Sequence, residues 1–267
     1  MGYRLAFIGA GNMAEAIARA ALGRGVVQAE QVIAADPSED RRALFAAMGV
    51  AVTDDNAAAV SQSEQVVLAV KPQTLPKVAQ TLGAALTAEH VVISIMAGVR
   101  LAKLGEALGG HVQRLVRVMP NTPMLVGRGM SAIALGPGAR EGDDELAMQV
   151  LSAGGEAVRV DESAMDAVTA VSGSGPAYVF YLAEAMERAA RELGLGEHAR
   201  TLVAQTLVGA AHLLAESEHE AAELRRRVAS PGGTTEAALK YLDGADVSDA
   251  IVGAIKAAAA RSEELGA

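Results

Sequence analysis

The 267-residue sequence contains no cysteine and no tryptophan, and only 3 phenylalanines and 4 tyrosines. Without cysteine there are no disulfide scaffolds, thiolate zinc sites, iron–sulfur clusters or cysteine nucleophiles, and the chain suits a reducing compartment. So few rings offer little on which nucleic-acid bases could stack. Cations are also in deficit: 23 Lys and Arg face 32 Asp and Glu, a net charge of −9 that repels a phosphate track or an anionic membrane surface. No apolar run reaches the roughly 18 residues of a membrane span. Residues Met1 to Ala6 lack the pattern of a secretion signal, and position 6 is Ala where a myristoylation signal has Ser or Thr. The expectation is a soluble cytoplasmic protein with neither a nucleic-acid nor a membrane partner.

What is abundant is alanine, with 57 residues, so the 51% hydrophobic fraction consists largely of small side chains that favour helices and close backbone approach. A chain of this length makes one or two domains and buries about three quarters of its unfolded surface, enough for a core without staples.

Continuous apolar runs recur at Leu5–Ile8, Val32–Ala35, Val66–Val70, Val91–Ile95 and Leu115–Met119, which is how strands covered on both faces read. Between them lie helix-length segments such as 11–24, 38–48 and 72–86, so the pattern predicts a mostly parallel sheet with helices on both sides. Runs around 131–135 and 157–160 finish the sheet, flanking Gly136-Pro137-Gly138 and a helix that begins near Asp143. After Asp161 the spacing is helical only, with Tyr178, Tyr181, Leu182, Ala185, Met186, Ala189 and Leu193 on one face. Charge divides at the same place: residues 1–161 carry −2 and residues 162–267 carry −7. The domains are therefore placed at 1–161 and 162–267. In the last helix Ala250, Gly253, Ala254 and Ala257 form a small-residue face suited to tight helix contact.

Chemistry concentrates in a few motifs. Gly9-Ala10-Gly11-Asn12-Met13-Ala14 follows the first strand and opens the first helix. That is the dinucleotide-binding fingerprint: a glycine for the turn, another for approach of the pyrophosphate, and a small residue, here Ala14, for helix packing. The helix N-terminus adds free N–H groups and the positive end of its dipole. Asp36 ends the second strand, 22 residues past Ala14, where an acid would bond the adenine ribose and favour NAD, while Arg41 and Arg42 are near enough to meet a 2′-phosphate. Both NADH and NADPH stay open.

Ser230-Pro231-Gly232-Gly233-Thr234-Thr235 precedes a helical run. It reads either as a well-made helix start or as a carboxylate site at a helix entrance flanked by hydroxyls. Val118–Pro123 follows a strand and so lies at the sheet's carboxyl edge, where open α/β folds bind ligands. Ser172-Gly173-Ser174-Gly175-Pro176 lacks the first glycine of a nucleophile elbow, which disfavours a hydrolase. The five histidines show no metal-binding spacing, and no metal is expected.

Taken together, Gly9–Met13, Ala69-Val70-Lys71-Pro72, Arg117–Pro123, Ser172–Tyr178 and Ser230–Thr235 resemble, in order and spacing, pyrroline-5-carboxylate reductase over nearly the whole chain. The resemblance implies an α/β protein, a Rossmann-type doubly wound sheet followed by an all-helical C-terminal domain for substrate binding and dimerisation. It implies hydride transfer from NADPH or NADH to the C=N bond of 1-pyrroline-5-carboxylate, giving L-proline, the last step of proline biosynthesis. Carried over, Gly9, Ala10, Gly11, Asn12 and Met13 hold the pyrophosphate, and Asp36 and Asn56 lie at the adenosine end. Ala69, Val70, Lys71, Pro72, Met96 and Ala97 line the path to the nicotinamide. Ser230, Gly233, Thr234 and Thr235 receive the substrate carboxylate, and the Thr235 hydroxyl, the catalytic group, reaches the ring nitrogen. The resemblance further implies a homodimer that builds a decamer of dimers. Several relatives have Ser at position 36 and prefer NADPH, from which Asp36 departs. Two other readings compete. A β-hydroxyacid dehydrogenase needs a lysine early in the helical domain, but only Lys240 and Lys256 follow residue 161. A regulatory dinucleotide-binding protein without turnover has no need of Ser230 and Thr235.

Overall fold

The computed structural model describes residues 2–266. The chain packs as two compact units, one running to Ser174 and taking up the chain again from Ala258, the other formed by Gly175–Ala257.

The first unit alternates strand and helix in the order β1 (Tyr3–Ile8), α1 (Asn12–Gly23), β2 (Val32–Ala35), α2 (Glu39–Ala46), β3 (Ala51–Thr53), α3 (Asn56–Ser61), β4 (Ser63–Leu68), α4 (Leu75–Leu82), β5 (Val91–Ser94), α5 (Leu101–Ala107), β6 (Leu115–Met119), β7 (Gly129–Leu135), α6 (Glu145–Ser152), β8 (Gly155–Arg159) and α7 (Met165–Val168). All eight strands join one sheet in the order β3-β2-β1-β4-β5-β6-β7-β8, with only the β6–β7 pair antiparallel.

Strand order reverses between β1 and β4, each parallel to the other, and in such sheets the crevice at the carboxyl ends of the two strands is the binding place. The apolar runs sort by parity: Leu5 and Phe7 enter a core with Ile17, Val67, Ile93, Leu146 and Val150, while Ala6 and Ile8 enter the opposite one with Ile33, Val66, Leu68, Leu82 and Leu104. Alternate side chains of a strand face opposite sides, so a run with no polar member requires cover on both. Phe7 and Phe45, two of the three phenylalanines, meet with ring centroids 6.0 Å apart at a tilt of 59°.

Some elements differ from the sequence reading. The strand β3 has no counterpart in the sequence pattern: it has three residues, none buried, and presents no apolar run. The short helices α3 and α5 were likewise unsignalled, and the run 72–86 is broken. It holds a 3-10 turn at Pro72–Thr74, then α4, then a second turn after Gly83, whose φ of 46° is open to glycine.

Buried charge ties the unit together. Arg117 on β6, with 4% of its side chain exposed, meets Glu162 at 3.2 Å and Asp166 at 3.9 Å. Glu162 accepts the Leu101 N–H at 2.6 Å, and Asp166 accepts the Ser262 hydroxyl at 2.7 Å, which fastens the chain's last turns to this unit. Asp143, whose side chain is 1% exposed, pairs with Arg114 at 2.5 Å and accepts the Arg140 N–H at 2.8 Å.

The second unit is helical: α8 (Gly175–Glu192), α9 (Ala199–Glu216), α10 (Ala221–Arg227), α11 (Thr234–Gly244) and the first part of α12 (Val247–Gly266). Among these, α8, α10 and α11 have no buried residue, and large apolar side chains stand in solvent, among them Phe180 (64%), Tyr181 (78%), Leu213 (66%) and Tyr241 (79%). Among the described residues no helix is long and apolar enough to cross a membrane.

Burial pushes the Asp143 carboxyl up, but its bonds to the Arg114 guanidinium and the Arg140 N–H outweigh this and hold it below the usual carboxylate range. A depressed folded value stabilises above the unfolded pKa of about 3.9 and is lost as pH falls through the folded one. Replacing Arg114 by Met is therefore expected to cost about 3 kcal/mol near neutrality, because it strands a buried carboxylate. Denaturant melts of both proteins will show the gap narrowing as the pH falls, first as the stranded Asp143 of the variant takes up a proton and then, below about pH 4, as the parent's Asp143 does.

Candidate active site

At the end of β1 the chain must turn between two neighbouring strands. Gly9 has φ +95°, its N–H donates to the Ala35 carbonyl at 2.8 Å, and a Cβ there would lie 2.8 Å from the Ala69 carbonyl oxygen. Both conformation and space require glycine. Gly11, by contrast, has an ordinary φ of −68°, and an added Cβ would meet nothing within 4 Å. The side of the loop at Gly11 is open. Gly11 is also the N-cap of α1, with no side chain capping the helix, so the first N–H groups of α1 have no partner within it. Ala14 is 1% exposed and packs α1 onto the sheet. An open backbone surface under uncapped N–H donors fits a pyrophosphate.

Asp36, one residue past β2, holds this loop. Its carboxylate accepts the Ala10 N–H at 2.7 Å and the Ser38 N–H at 2.9 Å. The Arg41 guanidinium takes the other side of the same residue, donating to the Ala10 carbonyl at 2.5 Å and to Glu15 at 2.9 Å. Glu15, in the first turn of α1, is held below its ordinary range chiefly by Arg19, with Arg41 contributing. Arg42 donates to the carbonyls of Asp36 at 2.7 Å and Pro37 at 3.0 Å. Motif spacing could nominate Asp36, Arg41 and Arg42 for the ribose end. It gave no sign that Asp36 and Arg41 also grip Ala10 by its two backbone groups.

The other nominated residues of this unit follow the carboxyl ends of successive parallel strands. Asn56 opens α3 after β3 and donates to the Thr81 hydroxyl at 2.8 Å. Ala69, Val70, Lys71 and Pro72 follow β4, with Lys71 exposed, and Met96 and Ala97 follow β5. Met96 is 2% exposed, so its side chain belongs to the core and only its backbone borders the edge, while Ala97 is exposed. Gly9–Met13, Asp36, Asn56, Ala69–Pro72 and Met96–Ala97 thus border one edge of the sheet, after β1, β2, β3, β4 and β5 respectively.

Two further motifs meet in the same unit. The Asn121 side-chain amide, after β6, donates to the Ser172 carbonyl at 3.2 Å and hydroxyl at 3.3 Å and accepts the Met130 N–H at 2.8 Å. Ser172 belongs to a π-helical turn, Thr169–Gly173, a geometry frequent at functional sites.

In the helical unit, Ser230-Pro231-Gly232-Gly233 forms a turn closed by the Gly233 N–H on the Ser230 carbonyl at 2.9 Å, with Gly232 at φ +72°. Proline second and a left-handed glycine third is the composition of a type II turn. Gly233 is then the N-cap of α11 with no side-chain cap, Thr234 is exposed and Thr235 half-buried. The N–H groups of Thr234 and Thr235, beside two hydroxyls, are unclaimed within the helix and suited to a carboxylate. Ser230, Gly233, Thr234 and Thr235 are brought together within this one turn and helix start.

The doubly wound sheet, the glycine turn at its strand-order reversal and the uncapped helix entrance are the features of a dinucleotide-binding fold. Residues 4–98 match the family described as NADP oxidoreductase coenzyme F420-dependent, and residues 162–265 match the pyrroline-5-carboxylate reductase dimerisation family. A pyrroline-5-carboxylate reductase of Pseudomonas aeruginosa is 46% identical over 98% of this chain and 96% of its own length. The structure of a pyrroline-5-carboxylate reductase from Coxiella burnetii superposes with a TM-score of 0.90 at 34% identity, covering 100% of both chains. That of the Plasmodium falciparum pyrroline carboxylate reductase with NADP bound gives 0.89 at 28% identity, covering 99% of this chain and 98% of that one. The chain belongs to the pyrroline-5-carboxylate reductase family.

Gly9→Ala puts a methyl group against the Ala69 carbonyl in a left-handed conformation, so it is expected to weaken dinucleotide binding by at least about tenfold, roughly the 1–2 kcal/mol of that strain. Titration by the fluorescence of the reduced nicotinamide will measure it. Full retention of affinity would show that this turn does not shape the cradle.

Proposed function

We propose that the protein reduces the C=N bond of 1-pyrroline-5-carboxylate with NADPH or NADH, giving L-proline as the last step of proline biosynthesis. The observation that carries this reading is the end-to-end match to pyrroline-5-carboxylate reductases, among them one at 46% identity. The glycine turn and the Ser230–Thr235 loop support it chemically.

The bound dinucleotide supplies the hydride. Gly9, Ala10, Gly11, Asn12 and Met13 hold its pyrophosphate, Asp36 and Asn56 its adenosine end, and Ala69, Val70, Lys71, Pro72, Met96 and Ala97 guide the nicotinamide end. Ser230, Gly233, Thr234 and Thr235 receive the substrate carboxylate through N–H and hydroxyl donors, and the Thr235 hydroxyl orients the ring nitrogen. A cyclic imine is basic enough to arrive protonated, so its carbon accepts hydride without a strong acid from the protein. The chain's task is to align two reactants and exclude water. Thr235 is therefore a positioning hydroxyl at the reacting atoms more than a proton source.

The division at residue 161 separates a dinucleotide domain, 1–161, from a substrate and dimerisation domain, 162–267. The dimerisation-family match starting at residue 162 supports it. The apolar surface of α8, α9 and α11 suits a homodimer, from which a decamer of dimers is built. The lack of cysteine supports a cytoplasmic location, and the net charge of −9 supports a protein without nucleic-acid or membrane partners.

Turnover is tested by following loss of reduced-nicotinamide absorbance when pyrroline-5-carboxylate is added. Lack of turnover with both dinucleotides would overturn the reading. Thr235→Ala is expected to lower kcat/KM about 100-fold while dinucleotide affinity changes less than twofold, as befits a group acting at the substrate. Equal loss of both would move Thr235 away from the substrate. Asp36→Ser removes the carboxylate that would face a 2′-phosphate, and the NADPH-to-NADH ratio of kcat/KM should rise about tenfold. An unchanged ratio would separate Asp36 from the ribose.

A further inference from the structure

The turn that presents Thr234 and Thr235 carries a carboxylate of its own. Glu236 sits three residues past the N-cap Gly233, where a capping box places an acid that reaches back to the N-cap N–H. Here the Gly233 N–H is already spent inside the turn, on the Ser230 carbonyl at 2.9 Å. Glu236 reaches one residue further, and its Oε2 accepts the N–H of Gly232. Its other oxygen meets the Lys240 ammonium at 3.0 Å, one helical turn along. The Glu236 carboxyl is accordingly held below its usual range, first by the Gly232 N–H and then by Lys240.

We infer that Glu236 is a positioning residue for the substrate: it fills the Gly232 donor, fixes the glycine turn against α11, and so leaves the Thr234–Thr235 end as the place where the substrate carboxylate docks. The inference rests on the reading of this loop as the carboxylate site and adds to it the residue that sets its shape. The reasons are geometric. Gly232, at φ +72°, has no side chain to restrain it, and an added Cβ there would meet nothing within 4 Å. Packing therefore does not hold it, and apart from the Ser230–Gly233 turn bond the anchor is the Glu236 side chain. An unfilled N–H beside a left-handed glycine is itself an anion donor, and it would compete with the helix entrance for the incoming carboxylate. Lys240 balances the charge of Glu236, so that the anchor does not repel the anion it helps to place.

The test compares three full-length proteins, the parent, Glu236→Ala and Glu236→Gln. Glu236→Ala should raise KM for pyrroline-5-carboxylate, and weaken L-proline binding by calorimetry, about tenfold, the scale of a hydrogen bond to a charged group. Its kcat and dinucleotide affinity should stay within about twofold of the parent. Glu236→Gln keeps an oxygen acceptor for Gly232 and should restore KM to within about threefold. Amide hydrogen exchange over residues 228–236 reports the anchor directly: protected in the parent and the Gln variant, faster in the Ala variant. Unchanged KM and L-proline affinity in Glu236→Ala would overturn the inference, as would a Gln variant as impaired as the Ala variant. If the parent protein shows no turnover yet the exchange pattern follows the prediction, the reading of the loop as a substrate site fails while the anchor stands. If turnover is normal and exchange is the same in all three proteins, the anchor fails alone.

Discussion

The contact on which the cofactor half depends is the approach of Gly9 to the Ala69 carbonyl. Two adjacent parallel strands, β1 and β4, send their chains away from each other at the point where strand order reverses, and the backbone of one must turn against the backbone of the other. A Cβ on Gly9 would stand 2.8 Å from the Ala69 carbonyl oxygen, which leaves no room for even a methyl group. From that turn follow the start of α1 at Asn12, the exposure of its first N–H groups, and the placing of Ala10 where Asp36 and Arg41 hold both its backbone groups. The anion cradle is thus a consequence of sheet topology, and Asp36 and Arg41 stiffen it rather than create it.

The two units meet the hydrophobic effect differently. The sheet unit is finished within one chain, with a core on each face and its buried acids paired to arginines. The helical unit leaves rings and aliphatic side chains of α8, α9, α11 and α12 in solvent, more than a single chain needs to expose. Apolar surface on this scale marks an association face. The match of residues 162–265 to a dimerisation family agrees, and the protein is a homo-oligomer. The stretches 162–174 and 258–266 complicate any simple cut, because they belong to the match yet pack with the sheet unit, through Glu162, Asp166 and Ser262 around Arg117.

What could be read from the sequence follows from which signals are local. Doubly covered strands announce themselves because burial on both faces leaves few polar residues, and β1, β2, β4, β5, β6 and β7 overlap largely apolar runs, with Ser94, Arg117 and Ser131 buried among them. The edge strand β3 has no face deeply buried and so no run to see. Glycine motifs were legible because they encode backbone conformation, and Gly9 and Gly232 both have positive φ. Side-chain roles set by long-range geometry were not. Asp36 was visible as an acid at the end of a strand, but its bond to Ala10, 26 residues away, exists only once β1 and β2 are side by side. Asn121 and Ser172 stood out separately, and only the fold pairs them across 51 residues. Glu236 lies four residues from its partner and was within reach of the capping-box rule, but that rule points to Gly233 rather than Gly232.

The distribution of charge favours backbone donors at the proposed substrate end. Residues 162–267 carry −7, and the proposed function asks them to receive an anion. The nearest basic run is partly spent: Arg226 and Arg227 both bind Glu223, at 2.7 and 2.8 Å, and hold its carboxyl below the usual range, Arg227 foremost. Lys240 is paired with Glu236. Exposed ion pairs of this kind contribute little to stability, but they neutralise the surface around the turn. With those charges cancelled in pairs, the donors left at the proposed carboxylate site are the N-terminal N–H groups of α11 and the hydroxyls of Ser230, Thr234 and Thr235. Dipoles fixed in a helix define direction better than a mobile ammonium group does, and hydride transfer demands direction above all. A chain with no cysteine and few aromatic rings can supply that, because it needs only glycines to shape the backbone and hydroxyls to orient the ligand.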